Sequence, residues 1–131
     1  MFTFSERSKD RREAVDPRLI EISDLAIQIT KVDFGIPSDG GVRTAARQSE
    51  LYLSGVSKAD GVLRKSKHQS GMALDVYAYV DGKASWEHEH LSMVACSMLQ
   101  AASLLGYKLM WGGHWPNFVD TPHFQLAEEL S

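Results

Sequence analysis

The chain has 131 residues, enough for one domain with a hydrophobic core of its own. Apolar residues make up 44% and charged residues 24%, with a formal net charge of −3. This globular balance gives no general electrostatic reason to bind nucleic acid or an anionic membrane. The lone cysteine, Cys96, excludes a disulfide framework or a cysteine zinc cluster within the chain.

The opening run MFTFSERSKDRRE lacks the apolar centre of a signal peptide, and its basic residues alternate with acidic ones. No stretch approaches the roughly 18 apolar residues of a membrane span. The expectation is a protein made in the cytoplasm, with no membrane insertion, acting as a monomer.

Asp16-Pro17 reads as an N-cap followed by a proline at the first helical position. Leu19, Ile22, Ala26 and Ile29 recur at helical spacing, so a helix should run to about Thr30. Val32, Phe34 and Ile36 alternate as a short strand, and Ser38 to Gly41 is a turn. Thr44 can cap a second helix that carries Gln48, Leu51 and Tyr52 and closes at Gly55. The polar stretch from Ser57 to Lys67 reads as a loop.

From Met72 to Val80 the residues alternate as one strand, ending at the tight turn Asp81-Gly82. The longest helix should span Trp86 to Leu105, with Leu91, Val94, Ala95, Met98, Ala102 and Leu105 as its buried stripe and Gly106 at its end. Cys96 flanks that stripe and reads as packed and inert. Tyr107 to Trp111 is a strand, WGGHWPNF a loop, and His123 to Leu126 a last short strand. The class is α+β, a small antiparallel sheet flanked by helices in one domain over residues 1–131.

Asp75 opposes the apolar face of its strand, and His123 shares a face with Gln125. If the two strands pair, both side chains converge. His68, on the loop leading into the first strand, can fold back over the same face, helped by Gly71. Two imidazoles and one carboxylate with an open fourth position make the ligand set of a catalytic zinc site rather than a closed structural one. Asp120, three residues before His123 in DTPH, becomes a natural general base if a turn brings it inward, since Pro122 forbids a helix there.

Each of these residues alone has a plainer reading. Asp120 suits a turn, His123 a partly buried histidine and Arg43 a surface cation. His88 and His90 sit in EHEH near a helix start and read as solvated. Trp111 and Trp115 suit packing, and His114 has no clear assignment.

Taken together, the residues carry a resemblance. SKHQSGMALD is similar to the pattern S-x-H-x-x-G-x-A-x-D of the zinc D-alanyl-D-alanine carboxypeptidase and L-alanyl-D-glutamate endopeptidase family. WGGHWPNFVDTPHFQL resembles its W-G-G-x-W and D-x-P-H-F segments, and GVRTAARQ resembles its arginine segment. The three matches run in the family's order from Gly41 to Leu126. Among its members the chain looks most like phage endolysins.

The resemblance implies that His68, Asp75 and His123 hold Zn2+ and that Asp120 is the catalytic base. It implies that Arg43 binds a substrate carboxylate, helped by Ser66 and Gln48. The implied fold is that of the D,D-peptidases and the hedgehog domain. The implied substrate is the peptidoglycan stem peptide, cut at the L-Ala-D-Glu bond after release of the enzyme through a separate pore. One departure stands out: the position of His114 is commonly aspartate in this motif. Three alternatives remain. A D,D-carboxypeptidase would remove terminal D-alanine. A noncatalytic zinc-binding module would not need Asp120. A non-haem iron oxygenase shares the two-His, one-carboxylate set but normally has a tight His-x-Asp pair.

Overall fold

Helix α1, Glu6–Arg12, opens the chain, capped by the Ser5 side chain. In the computed structural model, which describes residues 1–55, 57, 59–61 and 66–127, it is followed by α2 at Pro17–Ile29 and strand β1 at Asp33–Gly35. Helix α3 covers Ala45–Leu53 behind its Thr44 cap, and a 3-10 turn covers Lys67–Ser70. Strands β2, Ala73–Asp75, β3, Tyr77–Val80, and β4, Lys83–Ser85, precede the long helix α4, His88–Leu105. Strand β5, Leu109–Trp111, a 3-10 turn at Gly112–His114 and strand β6, His123–Leu126, complete the order. Much of the loop expected between Ser57 and Lys67 lies outside the described residues.

The strands form two antiparallel sheets of three, ordered β1-β3-β4 and β2-β6-β5. The single strand expected over Met72 to Val80 is therefore two strands in different sheets. The break has a local cause. Asp75 N–H donates to Gly40 O at 2.8 Å and Val76 N–H to Pro122 O at 3.0 Å, so the chain leaves one ladder before joining the next. Face alternation survives the break, with Leu74, Val76 and Ala78 all fully buried. The turn between β3 and β4 has positive φ at both Asp81 and Gly82, as a two-residue hairpin requires.

Helix α2 packs against α4, and their apolar faces join Phe34, Leu74, Val76 and Phe124 in one core. Two stripes differ from the expected ones. Ile29 and Leu105 are each 37% exposed, while Ile27 and Ala101 are buried in the corresponding faces. Cys96 is exposed rather than packed. It lies roughly 200° round the helix from Val94, on the side away from the core. Helix α1 escapes a search for apolar periodicity because its buried residues are Ser8 and Arg12. The Arg12 guanidinium donates to Ser23 Oγ and to Asp24 Oδ1, each at 2.6 Å, and lies over the Phe4 ring. Among the described residues no helix is long and apolar enough to cross a membrane.

Candidate metal centre and cleft

Strand register sets the first pair. In the β2–β6 ladder Asp75 stands opposite His123. His68 arrives from the 3-10 turn at Lys67–Ser70, where Ser66 Oγ accepts from His68 N–H, Gln69 completes a capping box, and Gly71 ends the turn at φ 76°. Three atoms then meet. His68 Nε2 lies 3.2 Å from His123 Nδ1 and 3.2 Å from Asp75 Oδ1, and His123 Nδ1 lies 3.1 Å from Asp75 Oδ1. Among the described residues this is the group of three metal-ligating side chains that converges.

The chemistry of this donor set fits a small divalent metal. Ligands about 2.0–2.1 Å from a tetrahedral metal stand roughly 3.3 Å apart, close to the edges found here. The far side of each ligand is also held. His68 Nδ1 faces Gly41 O at 2.9 Å, which makes it the protonated nitrogen and leaves Nε2 as the donor. His123 Nε2 faces Gln125 Oε1 at 2.9 Å, leaving Nδ1 as the donor. Asp75 Oδ2 accepts from Arg43 Nη2 at 3.0 Å, leaving Oδ1 turned to the two imidazoles. The two histidines are almost wholly buried, so little water competes for these atoms. A Cβ on Gly41 would overlap the Arg11 carbonyl. Only glycine therefore brings this carbonyl to His68 beneath the N-terminal segment.

Charge follows from the packing. Burial opposes ionisation of Asp75, but the charges and hydrogen bonds of His68 and His123 outweigh it and hold its carboxyl well below the usual range. Burial also opposes charge on His123, and Asp75 outweighs it, so that pKa is raised. Asp120 moves the other way from Asp75: burial and the Asp75 charge push it up. Its Oδ2 lies 4.0 Å from His123 Nδ1. Asp120 N–H donates to Gly112 O at 3.0 Å, and His123 N–H donates to Asp120 O at 3.1 Å. The Trp-Gly-Gly turn and the Asp-Thr-Pro-His segment are thus fastened to each other.

Arg43 donates to Asp39 O, Gln48 Oε1 and Asp75 Oδ2. Gln48 is fully buried, and its amide donates to Ser57 Oγ and Ala59 O. It stands behind Arg43 and does not line the cleft, so any help it gives in binding substrate passes through its hydrogen bond from Arg43. Ser66 does line the cleft, as do Arg43 and Asp120, in a cavity of about 510 Å³. The Trp115 ring packs 5.1 Å from the His123 ring. His114 turns to the Trp111 ring instead and is not part of the cleft wall. His90 hydrogen-bonds Ser85 Oγ, and exposed His88 lies near Trp111, both apart from the converging group. Gly41, Gly112 and Gln125 are the supporting residues that sequence reasoning did not single out. Gly41 and Gly112 appear there as members of GVRTAARQ and WGGHW, and Gln125 as the residue sharing a strand face with His123.

The sequence and fold are similar to those of known proteins. A family profile described as phage L-alanyl-D-glutamate peptidase matches residues 1–126. The L-alanyl-D-glutamate peptidase of Escherichia phage T5 is 32% identical over 115 residues, covering 87% of this chain and 82% of that protein. The peptidoglycan L-alanyl-D-glutamate endopeptidase CwlK of Bacillus subtilis is 29% identical over 97 residues, covering 66% of this chain and 57% of its own length. The crystal structure of the Serratia marcescens L-Ala D-Glu endopeptidase ChiX superposes with a TM-score of 0.84 at 33% identity, over 95% of this chain and 90% of that one. With a family profile matched over residues 1–126 and relatives of 32–33% identity over most of its length, the chain belongs to the phage L-alanyl-D-glutamate peptidase family.

Proposed function

We propose that the protein is a zinc-dependent peptidoglycan hydrolase that cuts the L-alanyl-D-glutamate bond of the stem peptide. The observation that carries this reading is the meeting of His68 Nε2, Asp75 Oδ1 and His123 Nδ1 within 3.2 Å of one another, beside Asp120, in a chain of this family. Zinc held by those three residues supplies Lewis-acid chemistry, making water more acidic and polarising the scissile carbonyl. Asp120 takes the proton of the attacking water and delivers it to the leaving amine as the C–N bond breaks. Its raised pKa suits a group that must hold a proton between those two steps.

Arg43 has three of its five N–H donors engaged among the described residues. The other two grip a substrate carboxylate, while Gln48 holds the guanidinium from behind. Ser66 contributes at the cleft wall and also caps His68. One chain holds every group this chemistry uses, which supports action as a monomer. The phage relative, named an L-alanyl-D-glutamate peptidase, supports action on the cell wall, and release through a separate pore is part of the proposal.

Digestion of purified peptidoglycan, followed by mass spectrometry, tests the reading. New D-glutamate amino termini with intact glycan strands are expected, and free D-alanine as the main product would establish the carboxypeptidase alternative. Metal analysis of His123→Ala should find the zinc lost. Full zinc occupancy in that variant would overturn the ligand assignment.

A further inference from the structure

The hairpin of β3 and β4 ends at an aromatic side chain that the proposed reaction does not use. Trp86, between β4 and α4, is 53% exposed, although large apolar side chains gain most from burial. Its ring is backed by Tyr77, tilted at 44° with centroids 6.1 Å apart. On one side Trp86 forms part of the rim of the cleft that holds the metal group. On the other it lines a second groove of about 440 Å³, whose polar lining includes Asp81, Lys83, Ser85, Glu87 and His90. Trp86 is the residue common to both depressions, which therefore adjoin at the indole.

Chemistry selects the occupant of the second groove. A flat indole beside carboxylate, amine and hydroxyl groups suits a ligand with an apolar face and a hydroxyl-rich edge, which is a pyranose ring. A purely apolar segment would cover Asp81 and Lys83 and take them from water. Nucleic acid would meet two carboxylates and a net charge of −3.

In peptidoglycan the L-alanine of the stem is joined directly to a sugar of the glycan strand. A sugar therefore stands one residue from any L-alanyl-D-glutamate bond lying in the cleft. We infer that Trp86 and the hairpin groove form a glycan subsite that takes the sugar bearing the stem peptide. This inference rests on the substrate reading given above. Binding energy from this remote sugar aligns the scissile bond, so it raises turnover as well as affinity.

The test compares two soluble substrates with one peptide sequence. One carries N-acetylmuramic acid on its L-alanine, and the other carries only an acetyl group there. The parent protein should prefer the sugar-bearing substrate by about tenfold or more in kcat/KM. Trp86→Ala should abolish most of that preference, and Trp86→Phe should restore part of it. A second measurement does not depend on cleavage: saturation-transfer NMR with a peptide-free disaccharide of N-acetylglucosamine and N-acetylmuramic acid. The parent should bind it, and Trp86→Ala should not. Equal sugar preference in the parent and Trp86→Ala, or equal disaccharide binding, overturns the subsite. A parent that binds the disaccharide but leaves the L-alanyl-D-glutamate bond intact overturns the reaction assignment and leaves the glycan subsite standing.

Discussion

Gly112 offers the most direct test of how the loop holds Asp120. An alanine Cβ at this position would overlap the Asp120 carbonyl oxygen and would lie 3.1 Å from Asp120 Cβ. Ordinary contact begins at 3.4–4 Å, so the Asp120 side chain must retreat by about 0.3–0.9 Å, and the carbonyl must move further. Shifting Gly112 instead gives no relief, because its own carbonyl accepts from Asp120 N–H and any shift is passed on. Misplacing a catalytic group by about 1 Å can cost roughly 10²-fold, so Gly112→Ala should lower kcat/KM by about 10–100-fold. The Asp120 carbonyl also accepts from His123 N–H, so turnover is compared at saturating zinc, where one ion per chain is expected. Gly106→Ala is the control. It strains a left-handed residue at φ 81° in open space, at a cost of about 1–2 kcal/mol in stability, and should leave turnover unchanged. Circular dichroism, metal analysis and steady-state kinetics on a soluble stem peptide provide the readout. A folded, zinc-loaded Gly112→Ala protein within twofold of the parent would refute the coupling of this turn to Asp120.

Asp120→Asn should keep its metal and its fold while losing roughly 10²–10⁴-fold in kcat. A variant of near-parental activity would remove Asp120 from the reaction. Gln125→Leu removes the acceptor that fixes the tautomer of His123, so zinc affinity in a chelator competition should fall by roughly 10–100-fold, with Gln125→Glu restoring it. Unchanged affinity in the leucine variant would count against that role. The metal-free protein should melt at a lower temperature as pH rises from about 6 to about 9. A His123 pKa raised above its ordinary 6.5 adds stability that is present below that value and is lost as pH climbs through the raised one. Added zinc should reverse this trend, since the ligands bind as bases, and a melting temperature that is flat across this range without metal would contradict the His123–Asp75 pairing.

The convergence of His68, Asp75 and His123 was more legible in the sequence than the architecture around it. Ligand types and spacing are written in the chain, and the pairing of two short strands is enough to bring Asp75 opposite His123. The sheet change at Val76 is not written there. It depends on Gly40 and Pro122, which are remote in sequence and supply the carbonyls that divert the chain. Helix α1 was missed because polar residues form its buried face, and Arg12 satisfies its charge through Ser23 and Asp24, which periodicity cannot foresee. Cys96 was misplaced by being judged on its apolar neighbours instead of its angle round the helix. The supporting shell was hidden for a related reason. Gly41 heads the GVRTAARQ segment but acts through its backbone carbonyl, a role that its place there does not disclose.

Two aspartates of the same intrinsic acidity lie close to the same two histidines, and the fold separates their roles. Asp75 is paired on both oxygens, with Oδ1 facing His68 and His123 and Oδ2 accepting from Arg43, so it stays ionised and fixed. Among the described residues the Asp120 carboxylate has only a longer contact, its Oδ2 lying 4.0 Å from His123 Nδ1. Burial and the neighbouring Asp75 charge raise its pKa, while its side chain remains one-third exposed toward the cleft. A ligand must hold its charge throughout the reaction, whereas a base must give its proton back. The charge of Asp75 is itself one cause of the raised pKa of Asp120, so in the proposed reaction the ionised ligand would help to make the base. A bound cation would lower both values. It would lower Asp75 further, because Asp75 faces the ion directly, and the order of the two carboxylates would therefore persist in the loaded enzyme.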